Sequence, residues 1–212
     1  PLIAETGGIN AMIVDATALP EQVVDAVVQS SFRSAGQRCS SLRVLCVQED
    51  IADDVLSMLR GALALLRVGP ASALSTDVGP VIDTDAFDRL QEQIAALERS
   101  AKLIARTPVP EDVPPDTHIA PVAFEVSSIE AATEEIFGPV LQVVRWRGDI
   151  NALLSRIDAL GYGLTLGIQT RIDTRAETLA ESANVGNVYV NRNIVGAVVG
   201  VQPFGGEGLS GT

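Results

Sequence analysis

The chain has very few of the side chains that usually build metal sites and catalytic dyads. His118 is its only histidine, and its two cysteines, Cys39 and Cys46, form no Cys-x-x-Cys pair. We therefore predict no metal site and no Cys-His or Ser-His dyad. Because His118 lies in a predicted turn that enters a strand, we expect it to be structural. Two cysteines also fit a reducing, cytoplasmic setting better than a disulfide framework.

An excess of basic residues and a long apolar run are absent as well. The chain carries 15 lysines and arginines against 27 acidic residues, a net charge of -12, and the basic residues are scattered. Nucleic-acid binding needs a basic face, so we predict no nucleic-acid partner. Charged residues interrupt every apolar stretch, so we expect no transmembrane segment. With 47% hydrophobic and 20% charged residues, the 212-residue chain has the composition of a globular protein.

The two ends of the chain are unusual. The sequence starts at Pro1, with neither a methionine nor a signal peptide, and it stops at Thr212 within a glycine-rich stretch. We therefore expect residues 1–212 to be one domain of a longer protein.

Strand-like and helix-like patterns alternate along the chain. A short apolar run at 9–14 precedes a helix that starts at Pro20, and a buried strand is predicted at 42–47. The pattern predicts further helices at 51–63, 87–97, 149–160 and 171–183, and further strands at 102–105, 118–126, 140–146, 164–169 and 185–191. This alternation predicts an α/β fold with a mostly parallel sheet covered by helices.

Cys39 is the first candidate for chemistry. It lies between a predicted helix and a predicted strand, with Arg33, Arg38 and a Gly-Gln turn beside it. Nearby cations favour the thiolate, which is the nucleophilic form of cysteine. A free cysteine is also a common small core residue, so the residues alone leave both interpretations open. Cys46 lies inside the apolar run 42–47, and we expect it to be buried.

Three further segments place a charged or aromatic residue beside a turn. Glu5 precedes a Gly-Gly pair, Glu135 and Phe137 precede a Gly-Pro pair, and Phe204 precedes another Gly-Gly pair. Glu5 is either a general base or a solvated loop residue. Glu135 either accepts hydrogen bonds from ribose hydroxyls or is an ordinary loop or helix-cap acid.

The stretch 206–211 matches the dinucleotide-binding pattern G-x-G-x-x-G. That pattern acts as a pyrophosphate loop only where a strand precedes it and a helix follows it. Here it follows Pro203-Phe204, and the sequence ends one residue later. We therefore reject it as a pyrophosphate loop.

Four segments, taken together and in their order, resemble the aldehyde dehydrogenase superfamily over essentially the whole chain. They are Glu-x-Gly-Gly at 5–8, Gly-Gln-x-Cys at 36–39, Glu-x-Phe-Gly-Pro at 135–139 and Phe-Gly-Gly-Glu-Gly-Leu-Ser-Gly at 204–211. Within the superfamily, the stretches 5–11, 39–43 and 191–206 are similar to dehydrogenases of L-glutamate γ-semialdehyde (Δ1-pyrroline-5-carboxylate). The resemblance is closest to the dehydrogenase module of bifunctional proline utilisation A.

The resemblance implies roles for four residues in catalysis and cofactor binding. Cys39 would attack the aldehyde to form a thiohemiacetal and then a thioester, and its backbone N–H would donate to the developing oxyanion. Glu5 would activate the water that releases the acid. Glu135 would bind the nicotinamide ribose of NAD, with Phe137 lining the cofactor.

The resemblance also implies how the substrate is held. The Ser40 hydroxyl and the backbone N–H groups of Gly196 and Ala197 would bind the α-carboxylate, and glycine would let the main chain approach this anion closely. Phe204 would pack on the aliphatic part of the substrate. The alternative for the Gly-Ala pair is a plain turn between strands.

The same family pattern places some parts outside this chain. The oxyanion-hole asparagine and the main dinucleotide-binding domain precede Glu-x-Gly-Gly in the family, so residues 1–212 would form the catalytic domain alone and would be inactive in isolation. The implied cofactor is NAD, with FAD only in the proline dehydrogenase part of a bifunctional parent. The implied partners are a small-molecule aldehyde and further copies of the parent protein in a homo-oligomer.

Two alternatives stay open at this point. One is a dehydrogenase for a different aldehyde, such as succinate semialdehyde. The other is an assembly domain that has no activity as isolated and mainly mediates subunit packing.

Overall fold

The computed structural model describes residues 6–197 and 200–211. The strands are β1 (Asn10–Val14), β2 (Leu42–Gln48), β3 (Lys102–Arg106), β4 (Val122–Glu125), β5 (Val140–Trp146), β6 (Tyr162–Gly163), β7 (Thr165–Gln169), β8 (Asn187–Val190) and β9 (Glu207–Gly208). The helices are α1 (Pro20–Ser31), α2 (Glu49–Leu65), α3 (Thr84–Ser100), α4 (Ile150–Asp158) and α5 (Asp173–Ser182).

Seven of the strands form one sheet in the order β3-β4-β5-β2-β1-β7-β8. All neighbouring pairs in it are parallel except β3 and β4, which pair antiparallel at one edge. The central strands are buried along their length, as expected for parallel strands covered on both faces. The predicted α/β fold with a mostly parallel sheet covered by helices is confirmed.

Alternate residues of the central strands build two separate cores, one on each face of the sheet. Met12 and Val14 of β1 pack in the core that includes residues of α1, α2 and α3, whereas Ile13 packs in the core that includes residues of α4 and α5. Cys46 of β2 lies in the second core with 0% exposure, and burial raises the pKa of its thiol to about 12. Our prediction that Cys46 is buried is confirmed.

Each α-helix and each strand of the large sheet lies at a predicted position, with differences at the ends. The largest concerns β4, which begins at Val122 instead of 118. Pro121 directly precedes β4. Because a proline has no N–H to donate to the sheet, the strand begins at the next residue, Val122. The two-residue strands β6 and β9, which pair antiparallel with each other, were not predicted because two residues carry no periodicity. Among residues 6–197 and 200–211, none of the helices combines the length and the hydrophobicity that a membrane-spanning segment needs.

Asp15 joins β1 to β7 at the carboxyl edge of the sheet. It is 1% exposed, and its carboxylate accepts hydrogen bonds from the Thr17 and Thr170 hydroxyls and from Arg175. Burial alone would raise the pKa of Asp15, but these hydrogen bonds together hold it below its ordinary value of 3.8. The ionised form therefore stabilises the fold.

We expect the Asp15→Asn variant to be less stable by about 1.5–3 kcal/mol at neutral pH, because it loses hydrogen bonds to a charge. Since the pKa of Asp15 is lowered in the folded state, its contribution is complete above pH of about 4 and is lost as the pH falls through the folded pKa. Urea unfolding of both proteins between pH 3 and pH 7 measures this difference. A stability gap that stays constant down to pH 3 would contradict it, and Asp112→Asn, at an exposed carboxylate, is the control.

Candidate active site

Three adjacent parallel strands bring the candidate segments to one edge of the sheet. The strands β5, β2 and β1 are neighbours, and each is preceded by one of the segments singled out from the sequence. The Glu135–Gly138 loop precedes β5, the Cys39 turn precedes β2, and the Gly7-Gly8 pair precedes β1. Because the amino-terminal ends of parallel strands lie at the same edge, these segments meet there.

The Cys39 turn has an unusual backbone. After α1 the chain forms a short 3₁₀ segment, Arg33–Gly36, in which Ser34, Ala35 and Gly36 have positive φ angles of 56°, 51° and 65°. The left-handed conformation costs roughly 1–2 kcal/mol at each residue that is not glycine, so contacts from the surroundings must hold this turn. Cys39 itself is partly exposed, in contrast to the fully buried Cys46.

Asn10, the first residue of β1, is one of the residues that hold the Cys39 turn. Its Nδ2 donates to the Cys39 carbonyl at 2.6 Å and to the Ser41 carbonyl at 2.8 Å, and its Oδ1 accepts from the Thr165 N–H at 3.1 Å. The side chain is 2% exposed, so its three hydrogen bonds are shielded from water. Sequence reasoning gave Asn10 no role, although an amide at the start of a wholly apolar strand was a signal.

Arg43, the second residue of β2, contacts both the Cys39 turn and the loop that precedes β5. Its Nη1 donates to the carbonyls of Gly36 at 2.7 Å and Gly138 at 3.2 Å. Its Nη2 donates to the Arg38 carbonyl and to Glu135 Oε1, each at 3.1 Å. The side chain is 2% exposed, and burial lowers the pKa of Arg43 while the Glu135 carboxylate acts in the opposite direction. Sequence reasoning missed this residue too.

A cavity of about 440 Å³ opens beside Cys39. Its lining includes six residues that the sequence analysis assigned to the site: Cys39, Ser40, Phe137, Gly196, Ala197 and Phe204. This volume suits a small organic molecule. The structure therefore brings the candidate nucleophile together with all four candidate substrate-binding residues.

Glu135 does not line this cavity but a neighbouring one of about 320 Å³. Phe137 and Gln37 line both cavities and so form the boundary between them. The Phe137 ring is 44% exposed, and Arg43 Cζ lies 5.2 Å from its centroid. The two candidate cofactor-binding residues thus lie side by side, next to the Cys39 cavity.

Glu5 lies outside the described residues, so its role as general base stays a prediction. The two glycines that follow it are described, and both approach the site closely. A Cβ at Gly7 would lie 2.5 Å from Glu135 Oε2, and a Cβ at Gly8 would lie 3.1 Å from the Cys39 carbonyl. The Gly-Gly pair therefore leaves no room for side chains between the Cys39 turn and Glu135.

Two other sequence features lie away from this site. His118 is buried, and its ring nitrogens lie 3.2 Å from the Pro114 carbonyl and 3.3 Å from the Gly69 carbonyl, as expected of a structural histidine. The G-x-G-x-x-G match at 206–211 contains β9, and no strand precedes it among the described residues 200–205, which agrees with its rejection as a pyrophosphate loop. Among the described residues no cluster of three potential metal ligands occurs.

Comparison with known proteins identifies relatives of the kind that the four motifs resemble. The chain is 54% identical to the bifunctional protein PutA of Klebsiella aerogenes, covering 100% of this chain and 17% of that protein. It is 36% identical to the 1-pyrroline-5-carboxylate dehydrogenase of Geobacillus kaustophilus, covering 100% of this chain and 41% of that protein. The chain therefore spans less than half the length of either relative.

Solved structures agree with these relatives. A crystal structure of proline utilization A from Bradyrhizobium japonicum superposes with a TM-score of 0.95 at 56% identity, covering 100% of this chain and 22% of that one. A structure of a 1-pyrroline-5-carboxylate dehydrogenase superposes with a TM-score of 0.88 at 36% identity, covering 99% of this chain and 40% of that one. The sequence profile described as the aldehyde dehydrogenase family matches residues 1–212. The resemblance seen in the four motifs is thus confirmed, and the chain belongs to the aldehyde dehydrogenase family.

Proposed function

We propose that this chain is the catalytic domain of an NAD-dependent dehydrogenase that oxidises L-glutamate γ-semialdehyde to L-glutamate in proline degradation. The observation that carries the proposal is the cavity in which Cys39 lies beside Ser40, Gly196, Ala197 and Phe204. The names of the relatives support it, since they are 1-pyrroline-5-carboxylate dehydrogenases and bifunctional PutA proteins. The longer parent would supply the remaining parts of the active site.

Cys39 is the proposed nucleophile. Its thiolate adds to the aldehyde carbon, a C–S bond forms, and the carbonyl oxygen becomes an oxyanion next to the Cys39 backbone N–H. Loss of hydride from that carbon gives a thioester. Glu5 is proposed to take a proton from a water molecule, which attacks the thioester, releases the carboxylic acid and restores the thiol.

The cavity fits an aldehyde that carries an α-carboxylate better than it fits a purely apolar aldehyde. Gly196 lines the cavity with a φ of +91°, and a Cβ there would meet no described heavy atom within 4 Å, so no described group crowds the main chain on that side. Ser40 adds a hydroxyl, and Phe204 adds an apolar ring that is 40% exposed. Backbone N–H groups and a hydroxyl are suitable partners for the α-carboxylate.

The residues of the neighbouring cavity fit a nicotinamide ribose. Glu135 is held by Arg43 through Oε1 alone among the described contacts, so its carboxylate is oriented while a second oxygen remains to accept from ribose hydroxyls. Phe137, between the two cavities, offers a ring face for the planar cofactor end. When NAD is bound, its nicotinamide supplies the hydride acceptor.

NADH formation by the full-length protein with a panel of aldehydes tests this proposal. We expect L-glutamate γ-semialdehyde to have a kcat/KM at least about 10-fold above that of succinate semialdehyde, which lacks the ammonium group and the carbon that bears it, and above that of uncharged aldehydes. Ser40→Ala should raise the KM for the semialdehyde about 10-fold and change the KM for an uncharged aldehyde little, because only the former places a carboxylate there. Preference for an uncharged aldehyde would contradict L-glutamate γ-semialdehyde as the proposed substrate. No oxidation of any aldehyde would favour a domain that only mediates assembly.

A further inference from the structure

We propose that Arg43 is a positioning residue that couples the Cys39 turn to Glu135, so that one buried guanidinium sets the placement of both. The inference rests on the proposed function, and it concerns a residue to which neither the motifs nor the comparisons assign a task. It starts from the observation that Arg43 makes four hydrogen bonds, two to the Cys39 turn and two to the loop that precedes β5.

The two segments that Arg43 joins are in direct contact. A Cβ at Gly36 would lie 2.1 Å from the Gly138 carbonyl oxygen, so their backbones touch at this point. The carbonyls of Gly36 and Gly138 both accept from Arg43 Nη1. Carbonyl oxygens that lie close together repel each other, and a shared cationic donor offsets that repulsion. The Gly138 carbonyl also accepts from the Val140 N–H at 2.8 Å, but among the described contacts only Arg43 donates to the Gly36 carbonyl, and only Arg43 donates to both.

The second guanidinium nitrogen links the turn that carries Cys39 to Glu135, the proposed cofactor-binding residue. Nη2 donates to the carbonyl of Arg38, which directly precedes Cys39, and also to Glu135 Oε1. A displacement of Glu135 is therefore transmitted to Cys39 through a single rigid group. Lysine cannot reproduce this, because an ammonium lacks the planar fork that reaches both segments at once.

The buried charge of Arg43 also fixes the position of Glu135. A guanidinium that is 2% exposed needs a nearby countercharge, and Glu135, with a side chain that is 16% exposed, is the carboxylate in contact with it. The ion pair thus holds Glu135 at the border of its cavity before any ligand binds. An oriented carboxylate loses less freedom on binding a ribose than a mobile one, so Arg43 should improve dinucleotide affinity without touching the dinucleotide.

A double-mutant cycle between Arg43→Lys and Glu135→Gln in the full-length protein tests the coupling. Two readouts are used, neither of which requires turnover: the affinity for NADH from fluorescence titration, and the rate of Cys39 alkylation by iodoacetamide, followed by mass spectrometry of the Cys39 peptide. Arg43→Lys should weaken NADH binding about 10-fold in the wild-type background and about threefold or less in the Glu135→Gln background. An equal loss in both backgrounds would overturn the proposal.

The alkylation readout keeps the test informative if Arg43→Lys folds poorly. Glu135→Gln alters a partly exposed side chain that lies outside the Cys39 cavity, yet we expect it to change the Cys39 alkylation rate at least about threefold through Arg43. The matched control is Glu134→Gln, at the adjacent exposed carboxylate, which should change neither readout. An unchanged alkylation rate in Glu135→Gln would overturn the coupling. Failure of the wild-type protein to oxidise aldehydes would instead overturn the proposed function alone.

Discussion

Replacement of Cys39 by alanine is expected to abolish aldehyde oxidation by the full-length protein, with kcat falling about 10⁴-fold or more. The proposed route has a covalent intermediate on the Cys39 sulfur, and no second thiol of this chain can replace it. Cys46 is 0% exposed, lies on the opposite face of β2 from α2, and has a pKa raised by burial to about 12. Initial rates of NADH formation at saturating substrate measure the loss.

The control for this prediction is Cys46→Ala. This variant should keep kcat within about twofold of wild type while losing about 1 kcal/mol of stability, because it removes a buried sulfur from the core next to α4. NADH binding by Cys39→Ala should remain, since Glu135 and Phe137 line the neighbouring cavity. A Cys39→Ala protein that retains more than about a hundredth of the wild-type rate would refute covalent catalysis by this residue.

Among glycine-to-alanine substitutions in the site, Gly36→Ala is expected to lower stability and activity most. The new Cβ would lie 2.1 Å from the Gly138 carbonyl oxygen, and the φ of +65° disfavours any side chain. Left-handed strain and overpacking together should cost about 2–5 kcal/mol of unfolding free energy. Because Gly36 lies three residues before Cys39, relief of the clash should also displace the nucleophile and lower kcat/KM about 100-fold.

Gly61→Ala is the matched control for that change. Gly61 lies within α2, and a Cβ there would meet no described heavy atom within 4 Å. The same added methyl group should therefore stabilise the protein by about 0.5–1 kcal/mol, since alanine is the better helix former. Urea unfolding of the two variants measures the contrast, and a Gly36→Ala protein within about 0.5 kcal/mol of wild type would contradict the packing argument.

Much of the fold could be predicted because its elements carry strong local patterns. In α2, Val55, Leu59 and Leu63 recur at helical spacing, and all three are 0% exposed in the structure. The predicted strand at 140–146 coincides with β5, whose residues are almost all buried. Elements without such a pattern were predicted poorly. The strand β4 is shorter than predicted, and the two-residue strands β6 and β9 were not predicted.

The candidate site could be predicted residue by residue but not as an arrangement. Cys39 and Phe204 were both singled out from their motifs, and the structure places them around one cavity. Glu135 was assigned to cofactor binding, and only the structure shows that it lines a separate cavity next to that of Cys39. Asn10 and Arg43 were given no role, because their importance lies in contacts with residues far along the chain, such as Arg43 with Glu135.

The sequence by itself determined the family, the α/β alternation and the candidate residues, since helix periodicity, apolar runs and short motifs are all local properties. Only the tertiary structure decided that the segments before β5, β2 and β1 meet at one edge, because strand order is set by packing between distant parts of the chain. The same packing buries Arg43 between the Cys39 turn and Glu135. A buried charge needs hydrogen-bond partners, and these are set by the tertiary fold, so a local sequence pattern does not predict which residues they are.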